Sequence, residues 1–104
     1  MLFPWKKNKR NKSNNDLIEE LKEKGITDKN ILSALKKVPR ELFVNDLSSQ
    51  WAYENIALPV ECGQTISQPY VVAYMIDCLE LKKTDKVLEI GTGTGYQAAI
   101  ISHL

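Results

Sequence analysis

The sequence predicts an α/β fold, in which a small helical cap precedes the beginning of a doubly wound parallel sheet that is incomplete in this chain. Three observations lead to this class. The chain has 104 residues with 43% hydrophobic content, which suits one globular core. Val87–Ile90 has the apolar character of a short buried strand, and three glycines at alternate positions and an apolar helix start follow it. A doubly wound sheet repeats βαβ units of about 30 residues, so only its first part fits after Val87.

Composition excludes several other classes. The longest apolar run, Val71–Ile76, has six residues, far fewer than the ~20 of a membrane-spanning helix. The N-terminal segment lacks the apolar stretch of a secretory signal, so we expect a cytoplasmic protein without a membrane partner. Cys62 and Cys78 form no CxxC pattern, which indicates neither a disulfide framework nor a metal site. We expect both to be small packed residues, with a reactive thiol as the alternative.

Charge is distributed unevenly along the chain. Residues 1–12 carry five basic side chains and no acid, whereas the other 92 residues carry nine basic and thirteen acidic side chains. We therefore assign residues 1–14 to a basic, solvated tail, with weak attraction to nucleic acid or an anionic membrane as the alternative. The acidic body disfavours nucleic acid as a partner.

Residues 15–60 are predicted to form the helical cap and a connector. The first helix is expected at Asp16–Lys24, capped by Asn14 or Asn15 and ended by Gly25. Its apolar positions are Leu17, Ile18 and Leu21. This spacing predicts one buried face.

The second helix is expected to start at Thr27 as its N-cap and to stop at Pro39. Its apolar stripe consists of Ile31, Leu35 and Val38. The following residues 40–59 fit neither a helical nor a strand period, so we expect a packed connector with one short helix. Trp51 and Tyr53 within it are expected to be core anchors, with a platform for the substrate as the alternative.

Residues 61–104 are predicted to begin the nucleotide-type domain. Glu61–Pro69 indicates a turn, a short extended piece and a helix start, with Ser67 as N-cap and Pro69 in the first turn. The helix is expected to run to about Leu79. Its core-facing positions are expected to be Val72, Met75, Ile76 and Leu79.

The glycine-rich turn after the predicted strand favours a cationic ligand. A P-loop needs Lys and Ser/Thr after its last glycine, but Tyr96 follows Gly95, and Tyr96 also occupies the third glycine position of a dinucleotide fingerprint. Glu89, two residues before Gly91, would repel a pyrophosphate but would suit the ammonium and sulfonium of S-adenosylmethionine. The alternative is a tight glycine turn with an exposed or ion-paired Glu89.

Five segments together resemble the protein-L-isoaspartate O-methyltransferase family, a group of Rossmann-like S-adenosylmethionine-dependent methyltransferases. They are VPRELFV at 38–44, AY at 52–53, LP at 58–59, GQTISQP at 63–69 and LEIGTGTGYQ at 88–97. The GQTISQP segment is more specific than the glycine loop, which many methyltransferases share. The resemblance runs from about Leu17 to the end of the sequence.

The resemblance implies methyl transfer to the free α-carboxylate of L-isoaspartyl residues in damaged proteins or peptides, a protein-repair reaction. The methyl ester then cyclises to a succinimide, whose hydrolysis partly restores aspartate. A carboxylate with a pKa near ~3.9 is already ionised at pH 7, so no general base is required. The enzyme mainly has to align oxygen, methyl carbon and sulfur and to exclude water.

The resemblance also implies roles for individual residues. Ser67 matches the active-site serine, which we interpret as a hydroxyl donor that orients the substrate carboxylate; the alternative is that it only caps the helix. The residues expected to bind S-adenosylmethionine are Gln64, Thr65, Ile66, Ser67, Glu89, Gly91, Thr92, Gly93 and Gly95. Tyr96 and Gln97 match the family too, but could simply begin a helix, and His103 is expected to be an ordinary helix residue. No metal is expected.

The predicted sheet lacks its second strand, the acid expected about 20 residues beyond the glycine loop and the later substrate-binding segments. We therefore expect the N-terminal half of a methyltransferase, for which a missing C-terminal half is a candidate partner. One alternative is a truncated, non-catalytic remnant that keeps the helical cap and the donor loop. A methyltransferase of small molecules or RNA is a weaker rival, because GQTISQP and the acidic body argue against it.

Overall fold

The computed structural model describes residues 12–104. Four α-helices lie in this range: α1 at Asn14–Glu23, α2 at Lys29–Lys37, α3 at Pro69–Leu79 and α4 at Tyr96–Ile101. A two-residue strand β1 at Leu58–Pro59 pairs antiparallel with β2 at Thr65–Ile66. Short 3-10 turns occupy Arg40–Phe43, Ser49–Trp51 and Glu61–Gly63. The predicted tail at 1–14 lies outside the described residues except for its last three positions.

Helix α1 begins with a capping box. The Ser13 hydroxyl accepts a hydrogen bond from the Asp16 amide at 3.2 Å, and the Asp16 carboxylate accepts one from the Ser13 amide at 2.8 Å. The prediction that Asn14 or Asn15 caps this helix was wrong, because both lie inside it. The hydrogen bond from the Ser13 amide holds the pKa of Asp16 below its usual value.

The end of α1 and the start of α2 are both set by local hydrogen bonds. Gly25 has a φ of 105°, and the Ile26 amide after it donates to the Leu21 carbonyl at 3.0 Å, so the predicted glycine stop is confirmed. Helix α2 is capped by Asp28, not by Thr27 as expected. The Asp28 carboxylate accepts hydrogen bonds from two amides of the first turn, at 2.8 and 3.2 Å.

The apolar stripes of the four helices meet in one core. Its buried members include Leu17, Leu21, Ile31, Leu35, Val38, Leu58, Ile66, Val72, Ile76, Tyr96 and Ile100. Trp51 and Tyr53 are half-buried and pack against this core, which confirms them as anchors of the connector. Through this core, β2, α3 and α4 pack against the helical cap.

The structure leaves several large apolar side chains of α3 and of residues 87–90 exposed. The predicted strand at Val87–Ile90 is not formed: the segment has no regular secondary structure, and Leu88 and Ile90 are 85% and 89% exposed. A parallel strand requires a neighbouring strand, which residues 12–104 do not supply beside it. Met75 and Leu79 are also more than half exposed, contrary to expectation. We call the set Val71, Tyr74, Met75, Leu79, Val87, Leu88 and Ile90 the uncovered apolar surface.

Three smaller predictions are corrected. Cys62 and Cys78 are both exposed free thiols and are not packed residues. His103 lies in the turn after α4, where its amide donates to the Ile100 carbonyl, and not within the helix. Among residues 12–104, no helix combines the length and the apolar character needed to cross a membrane.

Candidate functional site

Two segments that are distant in sequence form one cavity of about 280 Å³. The β2–α3 connection forms part of its lining, and the glycine loop forms another part. Seven of the nine residues expected to bind the methyl donor lie in this lining: Thr65, Ile66, Ser67, Glu89, Gly91, Thr92 and Gly93. Val72, Met75, Ile90, Thr94, Tyr96 and Gln97 complete the lining.

The other two expected donor-binding residues lie outside this cavity. Gln64 lines an adjacent cavity of about 420 Å³, which shares Gly93 and Thr94 with the first. Gly95 is the N-cap of α4 and has a φ of 85°. Tyr96 begins α4 and is buried, so the expectation that it starts a helix is confirmed.

Glu89 is the acidic group of the cavity. Its Oε1 atom is buried and has no hydrogen-bond partner among the described residues. Glu89 as a whole is half-buried. A buried carboxylate oxygen is unfavourable unless a hydrogen-bond donor reaches it. The cavity therefore presents an acceptor that a cationic or N–H-bearing ligand would satisfy.

The glycine loop has a backbone that other residues rarely adopt. Gly91 and Gly93 have φ values of 75° and 59°, in the left-handed region. The Gly95 amide donates to the Thr92 carbonyl at 3.0 Å, which closes the turn. Without Cβ atoms at these positions, a ligand can approach the backbone closely beside Glu89.

Ser67 lies in the cavity lining and does not cap α3. The N-cap of this helix is Gln68, which makes no side-chain cap, so the expected Ser67 cap was wrong. Pro69 occupies the first helical position, as expected. Ser67 is exposed, and its carbonyl accepts a hydrogen bond from Arg40 at 3.1 Å. Its hydroxyl is thus not required for helix capping.

Arg40 is a residue that the sequence did not single out. It is fully buried, and its guanidinium donates to four backbone carbonyls of the connector and the β2–α3 segment. Its carbon Cζ lies 6.0 Å from the centre of the Tyr96 ring. Burial lowers the pKa of Arg40, and burial raises the pKa of Tyr96 to about 12. The one available signal was an arginine, followed by Glu41, within the mainly apolar stretch VPRELFV.

No cluster of three or more His, Cys, Asp or Glu side chains that could hold a metal occurs within residues 12–104. The polar groups that line the cavity of about 280 Å³ are a carboxylate, hydroxyls, an amide and backbone groups. This set suits binding and orientation of a charged organic ligand.

Comparisons with known proteins bear on this site. The family model described as Protein-L-isoaspartate(D-aspartate) O-methyltransferase matches residues 11–104. The chain belongs to this family. A protein-L-isoaspartate O-methyltransferase of Proteus mirabilis is 57% identical over 93 residues, which are 89% of this chain and 45% of that protein. The enzyme of the same name from Flavobacterium psychrophilum is 56% identical over 84% of this chain and 41% of its own length.

A solved structure of a protein-L-isoaspartate O-methyltransferase superposes with a TM-score of 0.75 at 38% identity. The match covers 88% of this chain and 30% of that chain. This similarity confirms the predicted fold class, the N-terminal part of a Rossmann-like methyltransferase domain with a helical cap. The chain spans less than half the length of the curated family members named above.

Proposed function

We propose that this chain provides the donor-binding part of a methyltransferase that transfers a methyl group from S-adenosylmethionine to the α-carboxylate of L-isoaspartyl residues. The observation that carries the proposal is the unpaired Oε1 of Glu89, which lies in one cavity with the glycine loop and Ser67. The family membership agrees with it. The repair of damaged proteins would be the biological result, and isoaspartyl proteins or peptides would be the partners.

The charge of the cavity favours this donor over a nucleotide phosphate. Among the cavity-lining residues, Glu89 is the one acidic residue, and no lysine or arginine accompanies it there. A pyrophosphate would be repelled, whereas the methionine ammonium and the sulfonium are attracted. Gly91, Thr92 and Gly93 would lie along the methionine portion of the donor, and Thr65 and Ile66 would border it from β2.

Ser67 would donate its hydroxyl to the substrate carboxylate and hold it in line. No base is needed, because the substrate carboxylate is ionised at neutral pH. The other candidate bases are unsuitable: His103 is exposed beyond α4, and the buried phenol of Tyr96 has a pKa of about 12. Ser67 acts by orientation and not as a nucleophile.

The methyl transfer needs no proton to be added or removed. One carboxylate oxygen forms a bond to the methyl carbon while the carbon–sulfur bond breaks, which leaves a methyl ester and neutral S-adenosylhomocysteine sulfur. Because an anion and a cation lose their charges together, exclusion of water lowers the barrier. The protein contributes alignment, which can accelerate a reaction by several powers of ten.

The complete activity is proposed for this chain together with the remaining part of the family's domain. The chain corresponds to 45% of the Proteus mirabilis protein, and its uncovered apolar surface includes the segment that was predicted to be a strand. Further parallel strands placed beside residues 87–90 would bury this surface. The alternative is a non-catalytic remnant that binds the donor without transferring the methyl group.

A two-part experiment tests the proposal. Calorimetric titration with S-adenosylmethionine measures donor binding by the chain, both alone and co-expressed with the C-terminal half of a family member. A radiolabel assay then measures transfer to an isoaspartyl peptide, with the same peptide containing ordinary aspartate as control, for the chain alone and co-expressed with the C-terminal half of a family member. Binding together with transfer specific to the isoaspartyl peptide supports the proposal. Binding without transfer in either form indicates the remnant, and absence of binding in both forms contradicts the donor site.

A further inference from the structure

Arg40 holds together segments that are separate in sequence. Its Nη1 atom donates to the carbonyls of Ala52 at 2.9 Å and Glu54 at 3.2 Å, and its Nη2 atom donates to those of Ile56 at 2.8 Å and Ser67 at 3.1 Å. The side chain is 0% exposed. Four of the five guanidinium N–H donors are therefore used by backbone oxygens, and Nε has no partner in the described part of the chain.

The positive charge of Arg40 is stabilised without an acidic partner among the described residues. Within residues 12–104, no carboxylate forms an ion pair with it. Burial of an unpaired cation is strongly unfavourable, and here only carbonyl dipoles and the face of the Tyr96 ring compensate it. The planar fork of a guanidinium fits several carbonyls at fixed angles, which a lysine ammonium does not. Arg40 is therefore required for the geometry of its hydrogen bonds, which a lysine at this position would not reproduce.

Two of these contacts reach both sides of the donor cavity. Ser67 lines the cavity on the β2–α3 side, and Tyr96 lines it where the glycine loop enters α4. Arg40 contacts the carbonyl of Ser67 and the ring of Tyr96 but is not itself a lining residue. Phe43, from the turn that Arg40 begins, adds a ring contact to Tyr96 at 5.4 Å between centroids.

We infer that Arg40 is a positioning residue, which fixes the Ser67 backbone relative to the glycine loop and so sets the donor-binding geometry. The inference rests on the proposed function, because the geometry matters only if the cavity binds the donor. A displaced Ser67 carbonyl would move the Ser67 hydroxyl with it. A lost ring contact would free Tyr96 and the loop that precedes it.

The test compares Arg40→Lys with the unaltered chain. Lysine keeps the charge but cannot reach four carbonyls, so we expect the affinity for S-adenosylhomocysteine, measured by calorimetry, to fall tenfold or more. Glu41→Gln is the matched control, since Glu41 is the next residue, is exposed and accepts a hydrogen bond from Tyr53 that a glutamine oxygen also accepts. Its affinity should stay within twofold of the original value.

A second measurement uses the unaltered chain and does not depend on the variant folding. The Arg40 guanidinium resonances are followed by NMR during titration with S-adenosylhomocysteine. Positioning through Ser67 and Tyr96 requires these signals to shift with ligand saturation, whereas a purely structural arginine remote from the ligand would leave them in place. Unshifted signals, or an Arg40→Lys variant of unchanged affinity, overturn the inference. Absence of binding by the unaltered chain contradicts the proposed function itself, which is a distinguishable result.

Discussion

Ser67 and Glu89 lie in the lining of one cavity, although one follows β2 and the other precedes the glycine loop. Ser67 is exposed and its hydroxyl caps no helix, while Oε1 of Glu89 is buried without a partner among the described residues. Each side chain therefore has hydrogen-bonding capacity that local structure does not use.

Replacement of Ser67 by alanine should leave the fold intact and reduce transfer. Because Gln68 is the N-cap of α3, we expect the free energy of unfolding of Ser67→Ala to stay within about 0.5 kcal/mol of the original value. Methyl transfer by the completed domain should fall about tenfold or more, with donor affinity little changed, because an orienting hydrogen bond is lost. Urea unfolding and the radiolabel assay measure the two effects.

Ser13→Ala is the control for a serine that does cap a helix. Its hydroxyl accepts from the Asp16 amide, so its loss should destabilise the protein by about 1 kcal/mol. Donor binding should not change, since Ser13 is not among the residues that line the cavity. A destabilisation of Ser67→Ala as large as that of Ser13→Ala, with transfer unaffected, would show that Ser67 is a structural residue only.

Alanine at Gly91 should combine backbone strain with weaker donor binding. An added Cβ at this position would meet no atom within 4 Å, so the effect comes from the φ of 75° and not from a clash. Left-handed backbone at a residue with a Cβ is unfavourable by about 1–2 kcal/mol. We expect that loss of stability together with reduced affinity for S-adenosylmethionine, because the loop relaxes away from its ligand-binding shape.

Gly25→Ala provides the matched comparison. Gly25 also has a positive φ, of 105°, and also has no atom within 4 Å of an added Cβ, but it follows α1 and is not a cavity-lining residue. Its variant should lose stability of similar order and keep the donor affinity. Equal affinities for the Gly91→Ala and Gly25→Ala variants would argue against a role of the glycine loop in binding.

Tyr96 should make stability sensitive to alkaline pH. Burial raises its pKa to about 12 in the folded protein, whereas an exposed tyrosine has a pKa of about 10. As the pH rises above 10, the unfolded chain releases the phenolic proton first, so this stabilisation is present below pH 10 and is lost toward pH 12. Tyr96→Phe should reduce the loss of stability between pH 8 and 11 by on the order of 1 kcal/mol.

Urea unfolding at a series of pH values measures this slope. Tyr53, whose pKa burial and a hydrogen bond to Glu41 raise to about 12, contributes in the same direction, so a residual slope should persist in Tyr96→Phe. A slope identical to that of the unaltered chain would mean that the Tyr96 phenol is not buried as described.

Much of the fold followed from local sequence. Apolar spacing predicted α1, α2 and α3, and Gly25 and Pro69 fixed one end each, because backbone constraints at glycine and proline act over a single turn. The caps were displaced by one or two residues, to Ser13 and Asp28. Several polar residues near each start could satisfy the same amides, so the sequence alone did not select among them.

The features that the sequence did not predict depend on distant parts of the chain. Val87–Ile90 has strand-like residues, but a strand forms only beside another strand. Arg40 acquires its role from carbonyls that arrive from two later segments, which no local pattern indicates. The exposure of Cys62 and Cys78 likewise reflects which neighbours are present, and not the preference of cysteine for the interior.

The most direct test of the donor site is calorimetric titration of Glu89→Gln with S-adenosylmethionine, beside the unaltered chain and Glu80→Gln as an exposed control. Loss of a charge-assisted interaction of about 1.5–3 kcal/mol predicts that Glu89→Gln binds about 10–100-fold more weakly. Its unliganded stability should stay within about 0.5 kcal/mol of the original value, because Glu89 is half-buried and its Oε1 makes no hydrogen bond in the described part of the chain. Equal affinity of all three proteins, or tighter binding of ATP or NAD than of S-adenosylmethionine by the unaltered chain, would contradict a cation-selective donor cavity.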